Sequence, residues 1–283
     1  MGHDASQPDL DAYFSRLGYD GPAEPRLRTL QRLHALHAEK IPFENLSPFV
    51  GEPVRLDLES LQDKLLRRGR GGWCFEQNLL FSHMLLGLGF DVTRLAARVR
   101  WNVPIDRVTP RSHMLLRVRL PEGDYIADVG FGGLTLTAPL KLEADVEQST
   151  PHEPHRLMAR DSGFRLDALI AGEWSALYTF ELHEHLQPDY EVSNWYLCNH
   201  PESQFLRQVL AARAEPSHRH ALRGIRYAIH SANGETEKRE VRDVAEYRAI
   251  LEGPFQIRLP DAPNLDQRLA AMIEENRGQT PVS

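Results

Sequence analysis

The chain has 283 residues, of which 41% are hydrophobic and 26% are charged, and its formal net charge is −7. This length predicts one extended unit or two to three packed sub-domains with a sizeable buried core. The acidic balance argues against a nucleic-acid partner, because proteins that bind the phosphate backbone present concentrated positive charge. The cluster of Arg67, Arg68 and Arg70 is therefore interpreted as a solvated helix end.

Membrane and metal partners are not expected either. No stretch of the sequence approaches the roughly 20 apolar residues that span a bilayer, and residues 1–10 are polar, so a cytoplasmic location is predicted. Cys74 and Cys198 are too few and too far apart for a disulfide framework or a four-ligand zinc site. The pair His152 and His155 encloses a proline that spoils helical ligand geometry, and the pair His183 and His185 lacks a further ligand at a clear spacing, so no metal is predicted.

The first ninety residues are predicted to be helical. Apolar residues recur at helical spacing over residues 10–17 and, after Pro25, over residues 27–36. A third helix is predicted to start at the N-cap Asp57 and to stop at Gly69. The fourth, over residues 74–86, is strongly apolar and should be buried.

The pattern then changes to short β-like runs, which lie at residues 95–101, 113–120, 125–129, 156–159 and 176–180. Later signals predict helices over 205–212, 244–251 and 265–275, with a β-hairpin turning near Asn233 and Gly234. Because there is neither an internal repeat nor a long linker, the three regions are expected to pack as one body.

Cys74 lies where a glycine-rich turn meets the start of a helix. Unpaired backbone N–H groups at such a position favour a thiolate over a thiol. The plainer interpretation is a buried structural cysteine, which is the commonest fate of a free cysteine. Cys198 has no preceding glycine turn, so a structural role is expected there.

A nucleophilic cysteine needs a histidine, and that histidine needs a group that orients it. His113 opens one β-like run and Asp128 ends the next, so neighbouring strands are predicted to bring them together over the helix start. Either residue alone is weak evidence. Gly130, Gly132 and Gly133 follow Asp128 and suit close backbone approach by a ligand, although an ordinary turn explains them equally well.

These residues resemble the arylamine N-acetyltransferase family. The segment Arg70-Gly-Gly-Trp-Cys74-Phe-Glu76 is similar to its nucleophile motif, with His113 and Asp128 completing its triad. Segments 37–46 and 194–205 resemble two further motifs in the family's order. The resemblance implies an α+β, papain-like and transglutaminase-like arrangement: a helical domain over 1–90 that carries the nucleophile, a β-barrel over 91–190 that carries the histidine and aspartate, and an α/β lid over 191–283.

The resemblance also implies site residues and partners. Thr109, Gly130, Phe131 and Phe205 would bind the acceptor, and Gly132 and Gly133 would lie at the cofactor, acetyl-CoA. The implied activity is ping-pong transfer of acetyl through a Cys74 thioester to aromatic amines, hydrazines or N-hydroxyarylamines. The alternatives are an amide synthase of a biosynthetic pathway, a transglutaminase-like cysteine hydrolase and a catalytically silent binding module. The sequence does not indicate an oligomeric state.

Overall fold

A computed structural model describes residues 7–104, 106–232 and 234–277. The helices within these ranges are α1 (Leu10–Leu17), α2 (Leu27–Lys40), α3 (Leu46–Val50), α4 (Leu58–Gln62), α5 (Cys74–Gly87), α6 (Gln187–Asn199), α7 (Gln204–Arg207), α8 (Val244–Glu252) and α9 (Leu265–Arg277). A π-helical turn over Asp63–Arg67 continues α4, and a 3₁₀ turn covers Gly132–Leu134.

The strands of the same ranges form two antiparallel sheets. They are β1 (Phe43–Glu44), β2 (Asp91–Val99), β3 (Arg111–Leu120), β4 (Gly123–Ala127), β5 (Leu140–Lys141), β6 (Glu147–Gln148), β7 (His155–Arg160), β8 (Gly163–Ile170), β9 (Glu173–Phe180), β10 (Leu210–Ala214), β11 (His218–Arg223), β12 (Arg226–Ser231) and β13 (Thr236–Glu240). One sheet has the order β5-β4-β3-β2-β9-β8-β7-β6, and the other has the order β1-β10-β11-β12-β13.

The eight-stranded sheet curls into a nearly closed barrel. Its two edge strands meet through one side chain, because Gln148 Nε2 donates to Lys141 O at 2.9 Å and Lys141 N donates to Gln148 Oε1 at 2.7 Å. The buried interior includes Leu115, Leu166 and Leu177. With the helical first region and the mixed third region, the barrel gives the α+β three-domain arrangement expected from the sequence.

Local signals in the sequence account for several helices. Asp9 accepts from Ala12 N at 2.9 Å, and Asp57 accepts from Ser60 N at 3.0 Å, so each caps the helix that follows it. Helix α5 is buried over nearly its whole length and packs against α1, α4, β2 and β3. A helix with no solvent-facing side explains why its sequence is apolar almost all round.

The five-stranded sheet shares a core with helices from both ends of the chain. Leu46 and Phe49 of α3 are buried with Val209, Tyr247 and Leu269. Asn45 fixes this contact, because its side chain donates to the carbonyls of residues 205 and 208 at 2.9 Å each and accepts from N–H of residue 210 at 2.6 Å. The segment before the nucleophile is thus joined to the third region.

Three sequence-based predictions were wrong or incomplete. The predicted helix over 205–212 is helical only at Gln204–Arg207, and Leu210–Ala214 is strand β10 because it pairs with β1 and β11. Helix α6 was not predicted. Arg70 is not part of a solvated helix end, since it is 2% exposed and its Nη2 lies 2.8 Å from Glu44 Oε1.

Some predictions fall partly outside the described residues. Strands β12 and β13 form the predicted hairpin, but Asn233 of its turn lies outside them, as do residues 1–6 and 278–283 at the ends of the proposed domains. The boundaries at 90 and 190 stay a prediction. Among the described residues, every helix is too short or too polar to cross a membrane.

Candidate active site

Cys74 is the first residue of α5, and the turn before it is held by close packing. Trp73 N donates to Glu76 Oε2 at 3.1 Å, while Glu76 Oε1 lies 2.7 Å from Lys64 Nζ. A Cβ on Gly71 would lie 2.1 Å from the carbonyl oxygen of Pro42, so this position requires glycine. The N–H groups of a helix's first turn lack partners within the helix, which makes them available near the Cys74 sulfur.

A buried ion pair between Arg70 and Glu44 holds the glycine-rich turn before Cys74. Arg70 Nε donates to Glu44 Oε1 at 2.9 Å, and Glu44 Oε2 accepts from Leu46 N at 2.6 Å. The Arg70 guanidinium also reaches Ser47 Oγ at 3.3 Å. The pair therefore fixes the glycine turn relative to the start of α3. Removing either partner would leave an uncompensated buried charge.

His113 and Asp128 meet beside the start of α5. His113 lies on β3 and Asp128 follows β4, and His113 Nε2 is 2.7 Å from Asp128 Oδ2. Because Nε2 is committed to the carboxylate, Nδ1 is the ring nitrogen left to interact with Cys74. The Cys74 Sγ itself lies 3.7 Å from the carbonyl oxygen of Ser112. The predicted cysteine, histidine and aspartate are therefore neighbours in the structure.

The electrostatics of this group favour a charged imidazole. Burial opposes protonation of His113, but the charge and hydrogen bond of Asp128 and the contact with Cys74 outweigh it and raise the pKa of His113 to about 10. Burial alone would raise the pKa of the Asp128 carboxyl group. The charge of His113 and the hydrogen bonds from His113, Asn78 and Gly130 N–H outweigh burial and lower this pKa. At neutral pH the pair is therefore an imidazolium and a carboxylate.

Asn78 holds Asp128 in position from one turn further along α5. Its Nδ2 donates to Asp128 Oδ1 at 3.0 Å and to Met114 O at 2.8 Å, and its Oδ1 accepts from Val129 N at 3.1 Å. Asp128 Oδ1 also accepts from Gly130 N at 3.0 Å. The amide thus links the nucleophile's helix to both strands that carry the other two residues.

An aromatic wall covers the imidazole. The ring centroids of Phe131 and Tyr178 lie 4.9 Å and 5.0 Å from that of His113, and they lie 5.0 Å from each other. Phe131 is half-buried, whereas Tyr178 is fully buried. Water is therefore excluded from one side of His113, and a flat apolar surface remains beside it.

The other residues implied by the resemblance lie at different distances from this centre. Phe205 contacts the ring of Trp73 at a centroid distance of 5.1 Å, which places it next to the nucleophile's turn. Gly132, with φ of +71°, faces the ring of Phe43, and Gly133 lies against strand β11. The hydrogen bonds described for Thr109 are to Val99 O and from Arg98, rather than to the residues around Cys74.

Sequence reasoning missed Asn78, His34 and Tyr178. His34 Nε2 accepts from the backbone N–H of Asp128 at 3.1 Å, so it holds the main chain at Asp128 from α2. The spacing of four residues between Cys74 and Asn78, which puts both on one helix face, is the one signal that points to Asn78. Cys198 is half-buried, and burial raises its pKa to about 11, which fits the structural role expected of it.

Comparison with known proteins agrees with this geometry. The sequence matches the N-acetyltransferase family over residues 26–264. It is 44% identical to an arylamine N-acetyltransferase of Mycobacterium tuberculosis over 89% of this chain and 90% of the relative. The chain belongs to the arylamine N-acetyltransferase family. It is therefore an acyl-transferring enzyme.

Further relatives share both the sequence and the fold. The arylamine N-acetyltransferase of Mycobacterium marinum in complex with CoA superimposes with a TM-score of 0.89 at 41% identity, over 94% of this chain and 99% of that chain. A Salmonella typhimurium relative is 36% identical over 93% of this chain and 95% of its own length. That relative is an arylamine N-acetyltransferase and N-hydroxyarylamine O-acetyltransferase.

Proposed function

We propose that this enzyme transfers the acetyl group of acetyl-CoA to aromatic amines, hydrazines or N-hydroxyarylamines through a thioester on Cys74. The observation that carries the proposal is the buried pair of His113 Nε2 and Asp128 Oδ2, 2.7 Å apart beside the first residue of α5. The names of the relatives and the CoA complex of one neighbour support the choice of donor and acceptor.

In the first half-reaction the Cys74 sulfur attacks the carbonyl carbon of acetyl-CoA. The C–S bond to CoA breaks, the CoA sulfur takes the proton of the His113 imidazolium and leaves as a thiol, and the acetyl group remains on Cys74. Backbone N–H groups at the start of α5 would stabilise the oxyanion that forms on the way. Because one thioester replaces another, the exchange is nearly isoenergetic and the acetyl-enzyme accumulates until an acceptor arrives.

In the second half-reaction the acceptor nitrogen attacks the same carbonyl carbon. His113, neutral since it gave its proton to CoA, takes the proton that the nitrogen loses, the C–S bond to Cys74 breaks, and the pair of thiolate and imidazolium is restored. Asp128 keeps the imidazole oriented and stabilises its positive charge. An aromatic amine is a good acceptor because its nitrogen is largely unprotonated at neutral pH.

We further propose roles for the residues around the centre. Phe131 and Phe205 would provide aromatic walls for a flat acceptor. The acceptor would come close to the backbone of Gly130, and Thr109 would lie at the outer edge of the pocket. Gly132 and Gly133 would let CoA approach the 3₁₀ turn that follows Phe131. We also propose a cytoplasmic location for the enzyme.

The test is intact-mass spectrometry of the protein mixed with acetyl-CoA and then with a panel of anilines and hydrazines. We expect one acetyl adduct on the wild-type chain, lost when an aniline is added, and none on Cys74→Ala. Cys198→Ser is the matched control and should form the adduct normally, since the groups that act on Cys198 are Val54, Glu76 and Lys64 rather than His113 and Asp128. If Cys74→Ala releases CoA at the normal rate with an aniline, the proposal is wrong.

The same experiment separates the proposal from its alternatives. A transglutaminase-like hydrolase should hold no stable acetyl adduct on Cys74. An amide synthase should prefer a longer or carrier-bound acyl donor over acetyl-CoA in direct competition. A silent binding module should form no adduct and should leave Cys74 unreactive towards iodoacetamide at neutral pH.

A further inference from the structure

A second group of polar side chains converges at the turn between β10 and β11, apart from the site at Cys74. Glu215 lies in the turn, and His218 and His220 lie two residues apart on β11, so both histidines project from one face of the strand. One ligand atom from each of the three residues lies within 4.8 Å of the other two. His220 is buried, while Glu215 and His218 are half-buried and leave a side open to solvent.

Both imidazoles are oriented by a hydroxyl group on the ring nitrogen that faces away from the carboxylate. His218 Nδ1 lies 2.8 Å from Ser217 Oγ, and His220 Nδ1 lies 2.7 Å from Tyr227 OH. Histidines that bind a metal through Nε2 typically hydrogen-bond through the other nitrogen in this way, which fixes the tautomer and the ring direction. The two Nε2 atoms are thereby left to face Glu215.

The distances are compatible with an ion that lies between these atoms. Nε2 of His218 and His220 lie 3.1 Å and 3.6 Å from oxygens of Glu215, and the second distance is too long for a hydrogen bond. Two ligands that lie about 2.0–2.1 Å from a tetrahedral ion are roughly 3.3 Å apart. The observed separations bracket that value.

The surrounding charges leave the carboxylate able to bind a cation. Arg213 Nη1 donates to Glu215 Oε1 at 2.5 Å, but the guanidinium is also held by Glu39 O and Pro254 O at 2.8 Å each. A carboxylate has further lone pairs, and carboxylates that bind metals are commonly hydrogen-bonded by a neighbour.

We propose that Glu215, His218 and His220 bind one divalent transition-metal ion of the zinc type, with solvent completing its coordination. Two imidazoles and one carboxylate are a known zinc ligand set. The ion would brace the β10–β11 hairpin, whose strands pack on the Gly132–Leu134 turn. No metal was predicted from the sequence, although Glu215, His218 and His220 lie within six residues of one another, and the turn before β11 brings their ligand atoms close together.

The test is calorimetric titration of Zn²⁺ into the metal-stripped, full-length Cys74→Ala chain, a background that removes the thiol at the catalytic centre as a competing zinc ligand. We expect one ion per chain. Tyr227→Phe removes a hydrogen-bond partner of a ligand and should weaken Zn²⁺ binding by roughly 10- to 100-fold. His218→Ala and His220→Ala each remove a ligand and should weaken Zn²⁺ binding by at least that factor. His183→Ala is the matched control, because His183 Nδ1 lies 3.6 Å from Glu181 Oε2 and its side chain is 85% exposed.

A second measurement guards against variants that simply fold poorly. Zn²⁺ should raise the melting temperature of the Cys74→Ala and His183→Ala/Cys74→Ala chains, and this rise should shrink in Tyr227→Phe/Cys74→Ala, which keeps the tyrosine ring. Absence of Zn²⁺ binding to the Cys74→Ala chain overturns the proposal. Zn²⁺ binding that is as tight in the His218→Ala and His220→Ala variants as in the Cys74→Ala chain also overturns it.

Discussion

A Cβ atom on Gly130 would lie 2.8 Å from Cys74 Cα and 2.9 Å from Asn78 Nδ2. The chain that follows Asp128 therefore runs directly against the first turn of α5. Such contact with backbone atoms cannot be relieved by moving a flexible side chain. The close approach joins the nucleophile and the carboxylate into one rigid unit.

Gly130→Ala should therefore damage both folding and catalysis. We expect a loss of about 1–3 kcal/mol in the free energy of unfolding, typical of overpacking, and a fall in turnover of about 100-fold as Cys74 is displaced. Urea unfolding and acetyl-transfer kinetics measure the two effects. Gly133→Ala is the control for stability, since its Cβ would meet only the Ala221 Cβ at 3.8 Å. Equal stability of the two variants would contradict the prediction.

Asn78→Ala should act on catalysis through Asp128. The substitution leaves Met114 O and Val129 N without their partner, at a cost of roughly 1–3 kcal/mol for each group. Because Asn78 contacts Asp128 and not the sulfur, kcat should fall while KM changes little. His113 should also titrate differently by NMR, which a purely structural role would not produce. Asn276→Ala, which removes a bond within α9 to Met272 O, should leave both readouts unchanged.

Asp128→Asn should lower the pKa of His113 and reduce kcat by about 10⁴-fold, the effect of misorienting a catalytic imidazole. In the wild type that pKa is about 10, above its ordinary value of 6.5. The stability that the charged ring contributes is therefore fully present below pH 6.5 and is lost as the pH rises towards 10. NMR titration of the ring measures the change in pKa, and acetyl-transfer kinetics measure the change in kcat. A ring that titrates identically in the two proteins would refute the assigned pair.

Acid should destabilise the fold through His34 and His37. Burial lowers their pKa values to about 4 and about 3, from an ordinary 6.5. His37 Nε2 lies 2.7 Å from Gln77 Oε1, and Gln77 Nε2 is occupied by three carbonyl oxygens, so Nδ1 accepts from Tyr13 OH in the neutral ring.

Stability contributed by these neutral rings is present above pH 6.5 and is lost as the pH falls towards 4. Each ring should add about 1.4 kcal/mol per pH unit to the slope of the unfolding free energy in that window. Urea unfolding between pH 7 and pH 5 measures the slope. His37→Gln should reduce it by that amount, whereas the exposed-residue variant His183→Ala should not. An unchanged slope in His37→Gln would count against the assignment.

The features that the sequence predicted most accurately are those that depend on local interactions. The cap Asp57, the apolar spacing of α1 and α2 and the apolar composition of α5 are local signals, so the starts of these elements were placed correctly. The neighbouring positions of His113 and Asp128 followed from two adjacent strands. Their separation, their charges and the aromatic cover were not available from the sequence.

The missed features depend on partners that are distant in the chain. Strand β10 has the sequence Leu-Ala-Ala-Arg-Ala, which favours a helix locally, and only pairing with β1 and β11 makes it a strand. Arg70 lies in a run of basic residues, yet Glu44 neutralises it in the interior. In the sequence Asn78 is one of several polar residues on a largely apolar helix, and its contact with Asp128 is visible only in the structure.

The contact between α3 and the third region has a consequence for biosynthesis. Residues 45–50 leave the ribosome some 160 residues before the carbonyls of Phe205 and Gln208 that Asn45 binds. Until then Leu46 and Phe49 have no partners, so the newborn chain carries exposed apolar groups just ahead of its reactive thiol. Closure of this long-range contact, which must await nearly complete translation, is expected to be a late and slow event in maturation of the enzyme.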